Sequence, residues 1–278
     1  MTATQKEKAE SFKALHEREG AFIIPNPWDA GSARLLAGLG FEALATTSAG
    51  FANSLGRLDG QVVLSEVLEH CRDVCAATDL PVSADLENCF ADDPERAAET
   101  IRLAAQAGLV GGSIEDYSGD PSNPIYDFGL AVERVQAAAE AAHSFDFPFV
   151  LTARAENLLR GRADLDDTIR RLQAFEAVGA DVLYAPALTT LDEVRAVTGA
   201  LRKPVNVLGP PLKGVTVEQL AEAGVKRIST GAALARAALT ALMRAGAEMR
   251  DRGSFEWTSE LAPGQEVNTL LGTRTPHR

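Results

Sequence analysis

Basic residues and cysteines are both scarce in this chain. It carries 27 lysine and arginine residues against 39 aspartate and glutamate residues, which gives a formal net charge of −12. Proteins that bind nucleic acid usually present a basic stripe, so we expect no nucleic-acid partner. The three cysteines, Cys71, Cys75 and Cys89, are an odd and small number, which argues against a disulfide framework.

Long apolar segments are also missing. No stretch of the sequence is apolar over the length that a transmembrane helix needs, so we expect no membrane partner. The opening residues, MTATQKEKAESF, contain no apolar core of the kind that secretory signals carry. Together these absences predict a cytoplasmic protein.

Several common catalytic motifs do not occur. The histidines, all outside the ends of the strands predicted below, are His16, His70, His143 and His277. Their positions argue against a three-histidine zinc site and against a Ser-His-Asp triad. The sequence has no GxxxxGK[ST] phosphate-binding loop, and no GxGxxG follows the first predicted strand.

Short apolar runs alternate with longer helical patterns along the 278 residues, of which 46% are apolar. The runs predict eight strands, at 22–25, 43–47, 81–85, 110–115, 149–154, 181–184, 204–208 and 226–230. Each interval can hold a helix, as parallel strands require. We therefore predict an α/β fold, a (β/α)₈ TIM-type barrel forming one domain over residues 1–278. A helix at about 5–19 would cover its bottom, and an open doubly wound sheet is the competing fold.

One local pattern recurs where predicted helices pass into strands. An Ala-rich segment ends in glycine just before an apolar run at Gly40, Gly108, Gly179 and Gly224. Glycine just past a helix end adopts the left-handed conformation without strain. Asp93-Pro94 and Asp164 predict the starts of two helices. The polar segment 117–129 predicts one long loop after the fourth strand, a candidate lid.

Acidic residues follow several of the predicted strands. Asp85 and Glu87 lie two positions apart and so point the same way, and Glu115 ends the next strand. Carboxylates that converge at a barrel mouth repel one another unless a cation offsets them. Oxygen ligands without histidine or cysteine suit Mg²⁺, with Mn²⁺ as an alternative. We predict Asp85 as a direct metal ligand, with Glu87 and Glu115 as ligands that act directly or through water.

Other polar residues at strand ends are candidates for substrate binding and catalysis. Arg154 ends the fifth strand and suits bidentate pairing with a substrate carboxylate. The further substrate-binding candidates are Trp28, Thr47, Ser48 and Asn206. The catalytic candidates are Asp59, Glu115 and Arg154. The structural alternatives stay open: Arg154 pairs with Glu156 or Asp116 instead, and Thr47 and Ser48 only cap a helix.

Taken together, these segments resemble the isocitrate lyase/phosphoenolpyruvate mutase superfamily, over most of the chain from Asn26 to about Ala238. The resemblance lies in Asn26-Pro27-Trp28-Asp29-Ala30-Gly31-Ser32-Ala33, Thr47-Ser48-Ala49-Gly50, Leu55-Gly56 with Asp59, Ser83-Ala84-Asp85-Leu86-Glu87, Ile114-Glu115-Asp116 and Ala153-Arg154. These are similar, in order, to the family's first loop, its Ser-Gly-Ala-Gly turn, its second-loop aspartate, its Asp-x-Asp metal motif, its Ile-Glu-Asp and its Ala-Arg. The set is specific, whereas no single member is.

The resemblance implies a Mg²⁺-dependent barrel that acts on a small 2-oxo carboxylate through an enolate-like species. It assigns Asp85 to direct metal binding, and it assigns Asp59, Glu87 and Glu115 to metal binding directly or through water. It assigns Thr47, Ser48 and Arg154 to the substrate's carboxylate or oxo group. It also implies a homodimer or homotetramer in which subunits exchange a C-terminal helix, here the residues after Arg250.

The segment after the fourth predicted strand departs from the family's lyases. They carry a Lys-Lys/Arg-Cys-Gly-His loop there, whereas this chain reads Tyr117-Ser118-Gly119-Asp120-Pro121-Ser122-Asn123-Pro124. The missing cysteine argues against cleavage of isocitrate or methylisocitrate. The mutase's Lys-Thr-Asn-Ser loop is absent too. Tyr117 and Tyr126 are candidate proton donors, and Cys89 is a packing residue in the preferred interpretation.

The sequence therefore predicts a Mg²⁺-dependent carbon–carbon lyase or decarboxylase. Its substrate would be a small 2-oxo or 2-hydroxy dicarboxylate, such as oxaloacetate or a substituted malate, cleaved through a metal-stabilised enolate. The first alternative is carbon–phosphorus chemistry of the phosphonopyruvate hydrolase or mutase type. The second is a barrel that binds a 2-oxo acid without catalysis. A Schiff-base aldolase is disfavoured because Lys203, Lys213 and Lys226 do not end predicted strands.

Overall fold

Strands and helices alternate along the computed structural model, which describes residues 3–272. The strands are β1 (Phe22–Ile24), β2 (Leu44–Ala45), β3 (Val82–Ala84), β4 (Gly111–Glu115), β5 (Val150–Arg154), β6 (Val182–Tyr184), β7 (Val205–Leu208) and β8 (Arg227–Ser229). The helices are α1 (Gln5–Glu17), α2 (Ala30–Gly38), α3 (Ser48–Ser54), α4 (Leu64–Ala77), α5 (Pro94–Gln106), α6 (Phe128–His143), α7 (Leu165–Ala177), α8 (Leu191–Gly199), α9 (Val217–Glu222), α10 (Ala233–Arg252), a 3₁₀ helix (Glu256–Glu260) and α11 (Gly264–Gly272).

The eight strands form one parallel sheet in the order β1-β8-β7-β6-β5-β4-β3-β2. The first and last strands of the chain are paired, with Phe22 opposite Arg227 and Ile24 opposite Ser229. A backbone hydrogen bond from Ala45 N to Pro25 O, 3.1 Å long, links β2 to the end of β1. The sheet therefore curves into a nearly closed barrel, which confirms the predicted (β/α)₈ fold and excludes the open doubly wound sheet.

The predicted helix boundaries rest on backbone conformation and capping. The four predicted glycines have φ values of +91°, +96°, +112° and +84° at Gly40, Gly108, Gly179 and Gly224. At Gly179 a side chain would also lie 3.1 Å from Ala139 Cβ, so glycine is required there for space as well. Asp93 and Asp164 cap α5 and α7, because their side chains accept hydrogen bonds from Arg96 N and Asp167 N.

Helix α1 closes the amino end of the barrel. Phe12 is fully buried, and a Cβ atom at Gly111 would lie only 2.9 Å from its ring, so Gly111 leaves the space that this ring fills. The apolar cluster at this end comprises Ala9, Phe12, Leu15, Phe22, Ile24, Ala43, Val110, Val150 and Val182. The helix predicted at about 5–19 is confirmed, two residues shorter at its carboxyl end.

The carboxyl-terminal helices pack outside the barrel. α11 lies against α2, and a Cβ atom at Gly38 would be 3.0 Å from Leu270 O. The predicted exchange of such a helix between subunits concerns an assembly and stays a prediction, while His277 lies outside the described residues. Within residues 3–272, no helix is both long enough and apolar enough to cross a membrane.

Candidate active site

A cavity of about 180 Å³ opens at the carboxyl ends of the strands, where active sites of such barrels lie. The predicted site residues that line it are Thr47, Ser48, Asp59, Asp85, Arg154 and Asn206. A larger cavity of about 590 Å³ lies beside α1 at the opposite end. We take the smaller cavity as the candidate site because the strand-end carboxylates and Arg154 gather there.

Asp85 is fixed at the cavity by donors from the segment after β2 and from the end of β5. Its Oδ2 accepts hydrogen bonds from Ser48 N at 3.1 Å and Ser48 Oγ at 2.9 Å. Its Oδ1 lies 2.9 Å from the NH1 group of Arg154. Its backbone N–H donates to Thr46 Oγ1, which holds the segment after β3 against β2. Asp85 is therefore oriented on both carboxylate oxygens before any ligand binds.

Thr47 caps α3, since its side chain accepts a hydrogen bond from Gly50 N. This capping is the structural alternative allowed by the sequence, and it places Ser48 at the first position of the helix beside Asp85. Glycine is needed at position 50 because a Cβ atom there would lie 2.6 Å from Thr47 Cγ2. Thr47 therefore contributes to the site at least by fixing the turn that carries Ser48.

Arg154 lies among three carboxylates. Its NH2 group is 3.0 Å from Glu115 Oε2 and 2.8 Å from Glu156 Oε1, and its NH1 group is 2.9 Å from Asp85 Oδ1. The pairing of β4 with β5 sets Glu115 directly opposite Arg154. Burial alone would lower the pKa of Arg154, but these carboxylates raise it well above its usual value. The ion pair with Glu156 that the sequence allowed is present.

The carboxylates in this cluster are crowded. Burial, with the nearby charges of Asp85 and Asp59, raises the pKa of Glu87 to about 7. Burial also raises the pKa of Glu115 well above its usual value, although Arg154 opposes that rise. Glu87 adopts a left-handed backbone conformation with φ of +50°, which is uncommon for a residue with a side chain. A cation placed here would relieve both the burial cost and the repulsion.

Asp116 has a structural role in this arrangement. Its Oδ1 accepts a hydrogen bond from Glu156 N at 2.7 Å, and its Oδ2 accepts one from Arg171 at 3.1 Å. Burial raises its pKa to about 6. Asp116 thus joins β4, the loop after β5 and α7, and it is not the partner of Arg154.

The chain is similar in sequence to known proteins over most of its length. The family model described as phosphoenolpyruvate phosphomutase matches residues 12–250. The chain belongs to the isocitrate lyase/phosphoenolpyruvate mutase superfamily. It is 30% identical to the 2-methylisocitrate lyase of Escherichia coli over 203 residues, which are 70% of this chain and 67% of that one. It is 28% identical to the oxaloacetate decarboxylase of Paraburkholderia xenovorans over 240 residues, 83% of this chain and 78% of that one.

Two solved structures of the superfamily share the fold over almost the whole chain. A provisionally named lyase/mutase from Burkholderia cenocepacia J2315 is 57% identical, covers 97% of both chains and superposes with a TM-score of 0.93. A phosphonopyruvate hydrolase in complex with oxalate and Mg²⁺ is 22% identical and superposes with a TM-score of 0.84, covering 97% of this chain and 95% of that one. Named relatives in the superfamily therefore catalyse lyase-type reactions, and one of them binds Mg²⁺.

The donor set of this superfamily member suits Mg²⁺ chemically. Within residues 3–272, no three histidine, cysteine, aspartate or glutamate side chains converge closely enough to hold a metal ion together. Mg²⁺ keeps several water ligands and takes only one or two carboxylates directly, so such a cage is not required. Asp85 offers oriented carboxylate oxygens at the cavity, and burial raises the pKa values of Glu87 and Glu115 nearby.

The remaining predicted substrate residues are held by protein partners. Asn206 donates from Nδ2 to Ser229 Oγ at 3.0 Å and accepts at Oδ1 from Arg227 at 2.9 Å. The Cβ atom of Trp28 lies 3.0 Å from the place where a Cβ atom at Gly50 would be. Among the described residues, Trp28 is not one of those that line the cavity. Asp59 is exposed on the loop after α3, with its side chain at the cavity rim.

The predicted lid runs from β4 to α6, which begins at Phe128, so the loop ends two residues earlier than predicted. Tyr117 is bridged to Ile125 across the loop, and the guanidinium of Arg160 lies 3.5 Å above the centre of the Tyr117 ring. Tyr126 donates from its hydroxyl to Asp92, and burial raises its pKa to about 12. The hydroxyl of Tyr126 is thus already hydrogen-bonded, whereas the ring of Tyr117 stacks against Arg160.

Sequence reasoning missed three members of the site. Glu156 was seen only as a possible partner of Arg154, yet it is fully buried, and its Oε2 has no hydrogen-bond partner among the described residues. Arg160 lies on the same loop, near Glu115 and Glu156 at 3.9 and 3.6 Å. Arg227 lines the cavity from β8. The available signal was alternation, since Arg227 and Ser229 are two apart on one strand and face the barrel interior together.

Cys89 is buried, and burial raises its pKa to about 12, in agreement with its interpretation as a packing residue.

Proposed function

We propose that this chain is a Mg²⁺-dependent lyase or decarboxylase for a small 2-oxo or 2-hydroxy dicarboxylate. The observation that carries the proposal is the cluster around Asp85. One carboxylate is oriented by Ser48 and Arg154 and lies near Glu87 and Glu115, whose pKa values are raised by burial and by neighbouring carboxylates. Membership in a superfamily of lyase-type enzymes supports the reaction class.

The chain's own residues would bind and orient the substrate. Ser48, whose N–H and hydroxyl donate to Asp85, lines the cavity together with Arg154. Asp85, with Glu87 and Glu115 directly or through water, would hold Mg²⁺. When bound, the ion supplies positive charge that stabilises negative charge on the oxo oxygen of the substrate.

The cleavage that this arrangement supports leaves its electron pair in an enolate. The bond that breaks joins the carbon next to the carbonyl to its leaving group, and its electron pair forms the carbon–carbon double bond of the enolate. From a 2-oxo dicarboxylate the leaving group is CO₂. From a 2-hydroxy dicarboxylate it is a 2-oxo acid, and a base takes up the hydroxyl proton. A proton then adds to the carbon. In the decarboxylation of oxaloacetate that proton comes from solvent or from a lid hydroxyl such as that of Tyr117, so no lid cysteine is needed. The oxaloacetate decarboxylase among the relatives supports this variant of the proposal.

One observation favours carbon–phosphorus chemistry as a second candidate. The lid sequence 117–129 contains no lysine or arginine, which argued against a phosphonate substrate. In the folded chain, however, Arg160, from the loop after β5, stacks on the ring of Tyr117 in the predicted lid. A guanidinium in that position suits a phosphonate group, so phosphonopyruvate belongs among the tested substrates.

The test is a proton NMR time course with Mg²⁺ and purified protein. The substrates are oxaloacetate, dimethylmalate, methylisocitrate, isocitrate and phosphonopyruvate, supplied separately. Asp85→Ala is compared with Asp73→Ala, an exposed aspartate of α4 outside the site. We expect one substrate to be consumed by the wild type and by Asp73→Ala, and at least 100-fold more slowly by Asp85→Ala. Equal rates with and without Asp85 would contradict the proposal, and the absence of turnover would favour a barrel that only binds.

A further inference from the structure

Arg227 is a buried arginine at the floor of the candidate active-site cavity. It occupies the first position of β8, is only 5% exposed, and points into the barrel. Its Nε donates to Asn206 Oδ1 at 2.9 Å, and its NH2 group donates to Thr152 Oγ1 at 2.8 Å. Its NH1 group lies 3.5 Å from Nε2 of His16, which reaches up from α1.

All three of these partners are uncharged. His16 Nδ1 lies 2.8 Å from Phe12 O, so Nδ1 carries the proton and Nε2 is left as an acceptor for Arg227. Burial and the adjacent guanidinium lower the pKa of His16 to about 3. The imidazole is therefore neutral at any ordinary pH and offsets none of the positive charge.

The contrast with Arg154 in the same cavity is large. Arg154 has three carboxylates within 3.0 Å, whereas no carboxylate of residues 3–272 forms an ion pair with Arg227. Burial lowers the pKa of Arg227 to about 10, which still leaves the guanidinium charged near neutral pH. A buried charge without a counter-charge is costly, so an anion that reached this position would be strongly favoured.

The cavity provides room and further polar groups for such an anion. A guanidinium has five N–H donors, and only three partners of Arg227 are recorded among the described residues. The hydroxyl groups of Ser83, Ser113 and Ser229 line the same cavity. Its volume of about 180 Å³ lies below the ~300–1,000 Å³ of pockets for drug-sized ligands, which suits a compact molecule.

We propose that Arg227 binds the second carboxylate of a small dicarboxylate whose other end lies at Ser48 and Arg154. This assignment rests on the proposed function and narrows it, because monocarboxylates would leave the buried charge of Arg227 without a counter-ion.

The test measures anion binding separately from catalysis. Metal-free wild-type protein is titrated calorimetrically with malonate and with acetate, and the titrations are repeated with Arg227→Gln, Arg227→Lys and Arg202→Gln. Arg202 is an exposed arginine outside the cavity and serves as the matched control. We expect malonate to bind the wild type and Arg202→Gln at least 10-fold more tightly than Arg227→Gln, with acetate weak throughout.

Two results would overturn the inference: no malonate binding to the wild type, or equal binding to Arg227→Gln. If Arg227→Gln does not fold, Arg227→Lys decides, because it keeps the charge but loses the planar set of donors. We expect Arg227→Lys to bind malonate several-fold more weakly than the wild type, and unchanged affinity would count against the site. If malonate binding depends on Arg227 but no substrate turns over, the anion site stands and the proposed enzyme function fails. If a substrate turns over without such binding, the enzyme function stands and the anion site fails.

Discussion

The two ends of the barrel are stabilised in opposite ways. At the amino end, Phe12 and the residues around it fill the interior with apolar side chains. At the carboxyl end, four residues after Val150 on β5, the same barrel interior contains Arg154 among three carboxylates. The amino end tolerates any conditions that preserve apolar packing, whereas the carboxyl end depends on the charge state of each group. The difference supports the proposal that one end maintains the fold and the other binds and converts the substrate.

Arg154→Met should have the largest effect at the carboxyl end of the barrel. Removing the guanidinium leaves Glu115, Glu156 and Asp85 without their common partner, which we expect to cost about 3–5 kcal/mol of unfolding free energy. Turnover should fall at least 100-fold. The matched control is Arg160→Met, whose side chain is 31% exposed and whose distances to the carboxylates are longer. Urea unfolding of both variants should show the larger loss for Arg154→Met.

The loss caused by Arg154→Met should also depend on pH. Without the guanidinium the pKa of Glu115 rises still further above its unfolded value. A group with a raised folded pKa is stabilised by its proton at low pH and destabilised as the pH rises through that pKa. The difference in unfolding free energy between the wild type and Arg154→Met should therefore become smaller as the pH is lowered from about 8 to about 5. A deficit that stays constant over this range would mean that lost packing, not unpaired charge, causes it.

The corresponding change at the amino end is Phe12→Ala. Phe12 is fully buried, so its truncation should cost about 3–5 kcal/mol of unfolding free energy. Turnover per folded molecule should stay within about 3-fold of the wild type. Leu39→Ala, at a residue that is 62% exposed, should cost less than about 0.5 kcal/mol. If Phe12→Ala abolished turnover in the folded fraction, the amino end would also be needed for activity, and the proposed division between the two ends would be wrong.

A buried histidine outside both ends provides a reference for acid sensitivity. His70 stacks on Phe51 with 3.9 Å between ring centres, and burial lowers its pKa to about 4. The unfolded chain takes up a proton below about pH 6.5 while the folded chain does not, so stability falls with pH in that window. Between about pH 7.5 and pH 5, the wild type should lose about 2 kcal/mol more than His70→Leu. Parallel pH profiles for the two proteins would show that His70 is not responsible.

The smallest effect is expected for surface charge at the amino end. Lys13 pairs with Glu17 at 3.7 Å, and both side chains are more than half exposed. Lys13→Ala should change the unfolding free energy by less than about 0.5 kcal/mol, and added salt should remove even that difference. A loss above about 1 kcal/mol would show that charge matters at both ends and would remove the contrast.

The sequence predicted the fold because its signals are local and repeated. Four junctions between a helix and the next strand carry the predicted glycine with positive φ, helix caps such as Asp164 precede their helices, and apolar runs mark all eight strands. The candidate site was most readily predicted where a residue ends a strand, as Glu115 and Arg154 do, or directly follows one, as Asp85 does. Arg171 and Asp116 pair across 55 positions, and Arg227 meets His16 across 211 positions. Such partnerships depend on how the barrel closes, which no local pattern indicates.

The pairing of β1 with β8 has a consequence for the order in which this chain can fold. The ribosome makes β1 before the other seven strands, and it makes β8, the strand that pairs with β1, after them. The large sequence separation between Phe22 and Arg227 makes this contact costly in loop entropy. A nascent chain that ends before Arg227 leaves the hydrogen-bonding edge of β1 open to aggregation or to chaperones. Closure of the barrel therefore waits until β8 has been synthesised.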